Sequence, residues 1–246
     1  MFVSIVSHGH GCLISSIDVL SKINNKFPVI VTDNVGEKKL QEYCNSNNIH
    51  YLVNQTQKGF GENNNQNFRY AKKELGMTER DYFLVLNPDI EITVESLTNC
   101  LEIAQNKNLV ISTINLTKGN NKYDNNIRYF PKLKNFIESY LFNVNRTVID
   151  KSNLNGDQVV DWASGSFLLI KSEIYEKVGG FDERYYMYCE DLDICKRIRY
   201  QIGQGTYYIN DVKAKHLAAH QNRRLFSKHF LWHLQSILRY TLLSKY

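Results

Sequence analysis

Glu190, Asp191 and Asp193 crowd into four positions, directly behind an aromatic run made of Phe181, Tyr185, Tyr186 and Tyr188. Two chemistries fit that spacing. Acids at the start of a helix are favoured by its dipole, so the cluster suits plain helix capping. A carboxylate flanked by aromatic rings also describes an acid in a partly dry pocket, able to act as a base near neutral pH. The block Trp162–Arg199 around the acids reads as a strand over Phe167–Ile170, a short Glu/Lys helix and a Gly179-Gly180 turn, with the acids opening another helix. Read by itself, this segment leaves both chemistries open.

Three further polar clusters follow apolar runs. Asp33-Asn34 ends Val29–Thr32, and a carboxylate there can accept from a base N–H or a ribose hydroxyl. The stretch Lys58–Asn67, KGFGENNNQN, sets Gly59 and Gly61 ahead of a helix, a geometry that lets backbone N–H groups approach a ligand. Asn87-Pro88-Asp89 follows the most apolar run of the chain, and Asp89 is a hard oxygen ligand suited to Mg²⁺ or Mn²⁺ carrying a diphosphate. Each is weak alone, because Asn-Pro-Asp is also a common turn and Gly-Phe-Gly is no established phosphate motif.

The elements that must position these groups alternate. Strands are expected over Phe2–Ser7, Val29–Thr32, Ile49–Val53, Tyr82–Leu86 and Leu109–Ile114, with helices over Ile14–Ile23, Glu37–Ser46, Asn64–Leu75 and Thr93–Gln105. That order implies an α/β fold with a mainly parallel sheet between helices, and such sheets collect ligands at the carboxyl ends of their strands. Lys118–Asn126, KGNNKYDNN, reads as a solvated loop or as a flap over a ligand. MFVSIVS lacks the basic start of a secretory signal and reads as the first strand. No run is apolar for long enough to span a membrane. Five cysteines with no CxxC pair suit reduced thiols in a cytoplasmic protein.

Charge is distributed unevenly. After Asp211 there is no acidic residue, while Arg223, Arg224, Lys228 and Arg239 sit among Leu225, Phe226, Phe230, Trp232, Leu234, Ile237, Leu238 and Leu242 at helical spacing. A basic amphipathic helix of this kind suits either an anionic membrane surface or packing of its apolar stripe on the domain. Nucleic acid is not expected, because no binding motif is present and the net charge is a mild +5.

Taken together, VTDN, GFGENNNQN, FLVLNPD, WASGSFLLIKSE and VGGFDERYYMYCEDLDICKR, followed by a late histidine, resemble an inverting family 2 glycosyltransferase with a GT-A fold. The start IVSHGH, the block WASGSF and the tail NRRLFSKHFLWHLQSILRY are most similar to the bacterial O-antigen rhamnosyltransferases. The resemblance implies a GT-A domain over residues 1–220, with a donor half to about 115 and an acceptor half beyond it, then a membrane-facing helix over 221–246. It implies transfer of L-rhamnose from dTDP-L-rhamnose to an N-acetylglucosamine diphospholipid at the inner face of the cell membrane.

Residue roles carried over by that resemblance are as follows. Asp191 is the base, with Glu190 beside it. Ser7, Asp33, Asn34, Gly59, Gly61, Asn65 and Asn87 surround the donor nucleotide, Asp33 reading the pyrimidine N–H. Asp89 and His216 hold a divalent metal, Mg²⁺ or Mn²⁺, with His220 competing for the second place. Asn87 stands where the family has a first acid, which implies a weaker hold on the metal. Trp162, Ser164, Gly165 and Ser166 line the acceptor side, with a core tryptophan as the alternative for Trp162. Arg223, Arg224, Lys228 and Trp232 face the membrane. Three rivals stay open: a UDP-hexose or UDP-galactofuranose donor, a sugar nucleotidyltransferase, and a silent binding subunit. His8-Gly9-His10-Gly11 lacks the basic residues expected of the second, and intact Asp89, Glu190 and Asp191 count against the third.

Overall fold

The computed structural model describes residues 1–119, 122–142, 144–217 and 228–243. Four strands, β1 (Phe2–Ser7), β2 (Val29–Asp33), β3 (His50–Val53) and β4 (Tyr82–Leu86), lie parallel in the order β3-β2-β1-β4. In β4 successive side chains enter different cores. Tyr82, Leu84 and Leu86 join a cluster with Ile14, Leu20, Leu40 and Leu97, while Phe83 and Val85 join one with Phe68, Tyr175 and Phe181. A strand buried on both faces reads as an unbroken apolar run, which is why β4 stands out in the sequence. The helices on the two faces are α1 (Gly11–Ile17), α2 (Val19–Asn24), α3 (Lys38–Ser46), α4 (Phe60–Glu74), α5 (Val94–Asn106), α6 (Leu133–Leu141), α7 (Ser172–Lys177) and α8 (Glu190–Ile202).

Beyond β4 the sheet becomes mixed. Short β5 (Ile90–Glu91), β6 (Ile111–Thr117) and the later strands β10 (Phe167–Lys171) and β11 (Thr206–His216) complete the order β4-β10-β6-β11-β5, with β8 (Gln158–Val160) pairing β11. Strand β10 runs antiparallel to both β4 and β6. Its direction has a simple cause. The chain reaches it through the Ser164–Ser166 turn, which lies at the carboxyl edge where β4 ends, so β10 must run back across the sheet. A small ribbon of β7 (Ile127–Arg128) and β9 (Trp162–Ala163) sits over that edge. The expected parallel order therefore holds for β1 to β4 and is interrupted by β10.

Local departures from the sequence reading also have causes. The helix expected over 14–23 breaks at Asp18, which is left-handed (φ 49°) and accepts from the Tyr43 hydroxyl at 2.9 Å. Helix α4 starts at Phe60, four residues before the expected start, because its asparagines point into the protein instead of terminating the helix.

The terminal helix α9 (Lys228–Leu238), extended by a π-helical turn over Arg239–Leu243, packs on one face and is bare on the other. Trp232 stacks near Tyr186 with centroids 4.6 Å apart, His233 lies 4.7 Å from Tyr188, and Ile237 and Tyr240 are buried. Leu231, Leu234, Leu238 and Leu242 are exposed, as are Leu133, Ile137 and Leu141 of neighbouring α6. Arg223, Arg224 and His220 lie outside the described residues, as does the side chain of Lys228.

Candidate active site

The parallel strands end together, with Ser7 opposite Asp33 and Asp33 opposite Val53. Asp33 is buried there, and its role differs from the expected one. Oδ1 accepts from the Val35 and Gly36 amides at 3.0 and 2.9 Å, and Oδ2 from the Glu37 amide at 2.5 Å and the Tyr51 hydroxyl at 2.8 Å. A carboxylate offers about four lone-pair sites, and all are used, so Asp33 shapes the turn and has no acceptor left for a base N–H. Asn34 accepts from the Lys58 amide and donates to the Lys58 carbonyl, tying the 58–59 loop to β2. His8 approaches the same Asn34 amide at 3.1 Å.

The asparagines of α4 divide by direction. Asn65 bonds Tyr175, Phe181 and Glu183, so it pins the 180–183 turn and does not face the carboxyl edge. Asn63 is the one that faces that edge, donating to the Lys58 and Gly59 carbonyls and accepting from Asn54. Gly59 and Gly61 are packing glycines: a Cβ on Gly59 would lie 2.5 Å from the Tyr186 carbonyl oxygen, and one on Gly61 2.8 Å from Phe181 Cβ. They admit the aromatic segment against α4, a packing reason for glycine at both positions.

The next cluster is built by the pairing of β5 with β11, which sets His216 opposite Ile90 and next to Asp89. The Asp89 Oδ1 atom is buried and lies 3.3 Å from His216 Nε2. The other ring nitrogen, Nδ1, bonds Asp124 Oδ2 at 2.6 Å. Burial works against charge on His216, but the bonds to Asp124 and Asp89 outweigh it and push its pKa up to about 9. Asp124, opposed by burial but held by His216 and Lys118, falls to about 2. Lys151 is buried beside this cluster, donating to Asn115 Oδ1 and the Leu116 carbonyl, and burial lowers it to about 8. Asp124 and Lys151 were invisible as site residues in sequence; the single acid inside KGNNKYDNN was the only signal.

A carboxylate oxygen and an imidazole nitrogen converging at one point, with Asp124 orienting the imidazole, fit Mn²⁺ or Mg²⁺. Among the described residues no group of three such side chains could hold an ion alone. The remaining ligands would have to come from a bound diphosphate and water. Asn87 enters this cluster through its backbone, its amide donating to the Ser166 carbonyl at 3.0 Å.

The acids open α8 on the far side of the same edge. Tyr188 and Cys189 are both left-handed (φ 72° and 66°), a strained pair that turns the chain sharply into the helix. Asp191 stays partly open to solvent, its Oδ2 accepting from the Gly165 amide at 3.0 Å and its Oδ1 from the Leu192 amide at 2.8 Å. Burial raises its pKa, while those amides and the charge on Arg128 restrain it. Glu190 is 7% exposed, and its Oε2 meets no hydrogen-bond donor among the described residues. Burial, then the Asp191 charge, push it well above the ordinary carboxylate value. Of the two acids, Asp191 is the one partly open to solvent.

Gly165 has no room for a side chain, because a Cβ would lie 2.9 Å from Phe60 Cε1 and 3.7 Å from Asp191 Cβ. The Ser164 and Ser166 hydroxyls bond each other. Trp162 is largely buried, donates from Nε1 to the Tyr129 carbonyl, and lies under the Arg128 guanidinium at 5.5 Å. Arg128 was missed in the sequence, being a lone arginine in a loop-rich stretch.

A model of glycosyl transferase family 2 matches residues 13–178. The chain is 36% identical over 247 residues to rhamnosyltransferase WbbL of Escherichia coli K12, covering 98% of this chain and 92% of that one. Over 80 residues it is 38% identical to the N-acetylglucosaminyl-diphospho-decaprenol L-rhamnosyltransferase of Mycobacterium tuberculosis, 32% of this chain and 26% of that one. Among solved structures, GalNAc-T7 with UDP, GalNAc and Mn²⁺ aligns with a TM-score of 0.66 at 14% identity, over 96% of this chain and 46% of that chain. Staphylococcus aureus TarS with UDP-GlcNAc aligns at 0.62 and 14% identity, over 98% and 65%. The family match stops short of Glu190, so the contrast between the two acids rests on their burial and hydrogen bonds.

The environment of Glu190 has a measurable signature. In the unfolded chain it titrates near 4.5, and in the fold well above that. Between those values the native state binds more protons than the unfolded one, so this group makes stability fall as pH rises. Glu190→Gln should abolish that contribution: melting curves from pH 5 to 8 should show the variant gaining on the wild type as pH rises. A constant difference across the range would mean that Glu190 is ionised in the fold.

Proposed function

The chain belongs to glycosyl transferase family 2, and on that premise we propose that it transfers L-rhamnose from dTDP-β-L-rhamnose to N-acetylglucosamine carried on a lipid diphosphate, in polysaccharide biosynthesis of the O-antigen type. The observation that carries the reading is Asp191, a partly open acid held by the Gly165 amide, set across the carboxyl edge from the Asp89–His216 pair. Asp191 takes the proton of an acceptor hydroxyl as that oxygen attacks the anomeric carbon. The bond to the diphosphate oxygen breaks on the opposite face, its electron pair leaves with dTDP, and configuration inverts. No covalent enzyme intermediate is required. The nucleotide lies along the ends of β1 to β4, beside Ser7, Asn34 and Asn87, and Trp162 with Ser164–Ser166 borders the acceptor. The named sugar and acceptor are supported by the WbbL and mycobacterial relatives.

A donor panel with a synthetic N-acetylglucosamine diphospholipid tests this directly. Transfer from dTDP-rhamnose is expected, and turnover only with UDP-hexoses would overturn the donor. Asp191→Asn should lower turnover by ~10²–10⁴-fold, the usual worth of a general base, with dTDP binding within a few-fold. Loss of activity in Glu190→Gln, with Asp191→Asn near normal, would reverse the assignment within the pair.

Asp89 and His216 are proposed to hold Mg²⁺ or Mn²⁺, which when bound would offset charge on the leaving diphosphate. Because the protein supplies so few ligands, Mn²⁺ should bind weakly alone and far more tightly with dTDP present, read by calorimetry. Asp89→Ala and His216→Ala should remove the tight phase, and Asp124→Asn should weaken it by ~10–100-fold. Unchanged transfer in excess chelator would rule out a metal role.

The tail is proposed to rest on the anionic inner leaflet of the cell membrane through its basic residues and the bare leucines of α9; Trp232, expected to face the membrane, instead packs against Tyr186. No helix among the described residues is long and apolar enough to cross a membrane. The bare leucines of α9 and apolar residues of α6 support surface contact instead. Vesicles rich in phosphatidylglycerol should retain the protein and neutral ones should not, and Arg223→Gln with Arg224→Gln should weaken retention by ~1 kcal/mol per charge. Retention insensitive to both charge changes and salt would leave α9 as packing alone.

A further inference from the structure

The loop after β1, His8-Gly9-His10-Gly11, is a motif that the proposed function leaves without a part. Strand β1 pairs in parallel with β2 and β4, with Ser7 opposite Asp33 and Ile5 opposite Leu86. The loop therefore leaves the sheet at the carboxyl edge, between the segments that follow β2 and β4. Left-handed Gly9 (φ 83°) folds it back on itself, and the His8 amide donates to His10 Nδ1 at 3.0 Å. Both ends are fastened. The His10 amide donates to Ser7 Oγ at 3.1 Å, and the Ser7 hydroxyl and the Gly11 amide both donate to Glu37 Oε2. The Asn34 amide reaches His8 Nδ1 at 3.1 Å. Ser7, expected at the nucleotide, thus uses its hydroxyl hydrogen inside the loop.

These bonds decide what His10 can offer. A backbone N–H only donates, so Nδ1 must be the acceptor, and the ring hydrogen of neutral His10 sits on Nε2. Burial lowers the pKa of His10 against the charges of Asp89 and Glu37, which favours that neutral ring. Nε2 meets no partner among the described residues, and the side chain is only half-buried. His216, the other histidine beside Asp89, is set the opposite way. Its Nδ1 faces a carboxylate, Asp124 Oδ2, which leaves Nε2 as the atom proposed for the metal. One imidazole beside Asp89 is built to ligate a cation, and the other to donate to an oxygen. The acids around His10 are already engaged, Glu37 by the loop and Asp89 by His216. The loop holds no lysine or arginine, the first of the chain being Lys22. A phosphate oxygen only accepts, and beside a segment with no permanent cation it needs an N–H of this kind.

We propose that His10 is a diphosphate-binding residue, its Nε2–H donating to an oxygen of the nucleoside diphosphate that leaves in the reaction. The proposal rests on the reading of this edge as a site for a nucleotide-sugar donor, whichever base or sugar that donor carries. Binding tests it without turnover. In saturating Mg²⁺, dTDP and UDP are titrated into the full chain by calorimetry, and thymidine and uridine, which lack the phosphates, by ligand-observed NMR. Two variants separate the ring nitrogens, because a glutamine amide reaches as far as Nε2 and an asparagine amide only as far as Nδ1. His10→Asn keeps an acceptor for the His8 amide but has no donor at the Nε2 position. Its affinity for the diphosphate should fall by about tenfold, the worth of one charge-assisted hydrogen bond. His10→Gln should stay within about threefold of the wild type. Thymidine and uridine should bind all three proteins alike, which also reports that the loop is intact.

Equal losses of nucleoside and diphosphate in His10→Asn would make His10 a residue that fastens the loop, and would overturn the proposal. Unchanged diphosphate affinity in His10→Asn would overturn it too, as would a loss in His10→Gln as large as in His10→Asn, or a wild type that binds neither diphosphate. The two readings fail separately. Selective loss of UDP in His10→Asn, in a protein that ignores dTDP, would sink the dTDP-rhamnose donor and keep the contact. Transfer from dTDP-rhamnose, with diphosphate affinity unmoved in His10→Asn, would do the reverse.

Discussion

The aim of Asp191 depends on a buried clamp around the turn at 178–181. The Arg197 guanidinium donates to Asp193 Oδ2 at 2.7 Å, to the Val178 carbonyl at 2.5 Å and to the Gly180 carbonyl at 2.8 Å. From the other side Asn65 binds the Phe181 amide and carbonyl. The Asp193 and Arg197 side chains are 1% and 11% exposed, so removing either partner would strand a buried charge, at a cost of ~3–5 kcal/mol. With the turn anchored to α8 at one end and α4 at the other, the segment between has little freedom. It passes over Gly59, where no side chain fits, and enters α8 through two left-handed residues. Asp193, third of the clustered acids, thus supports the site without facing a ligand.

The same clamp explains how adjacent acids acquire different chemistry. Helix periodicity turns Glu190 and Asp191 about 100° apart. One is driven under Gly61 and Phe181, where its charge is unsupported, and the other reaches the Gly165 amide and the open edge. Burial raises both; Glu190 has its own backbone amide to set against it, whereas Asp191 has the Gly165 and Leu192 amides and the charge on Arg128.

Strands β1, β2 and β4 were legible because each is an apolar run buried on both faces, and Asp89 drew notice because it follows one; the acids at 190–191 drew notice through their aromatic flank, and His216 only through the family resemblance. What the sequence hid is directional. Asn63, Asn64, Asn65 and Asn67 look interchangeable in a polar run, yet on a helix they face the 58–59 loop, Ser4, the 180–183 turn and the β1–β2 pair. Asp33 resembled a ligand group until its donors were counted. Asp124 is 92 residues from His216, and no local pattern announces a contact across that distance. The direction of β10 was likewise set by where its preceding turn lies, which no propensity encodes.

Helix α9 shows why the two readings of the tail were never true alternatives. A helix presents its residues around a full circle, and here Ser236, Ile237 and Tyr240 face inward while Leu231, Leu234, Leu238 and Leu242 remain bare. The inward face rests on Tyr186, Met187 and Tyr188, the residues that lead into the turn before α8. Anything that displaces α9 at a surface therefore acts on the approach to Asp191 through direct contacts and not through a distant relay.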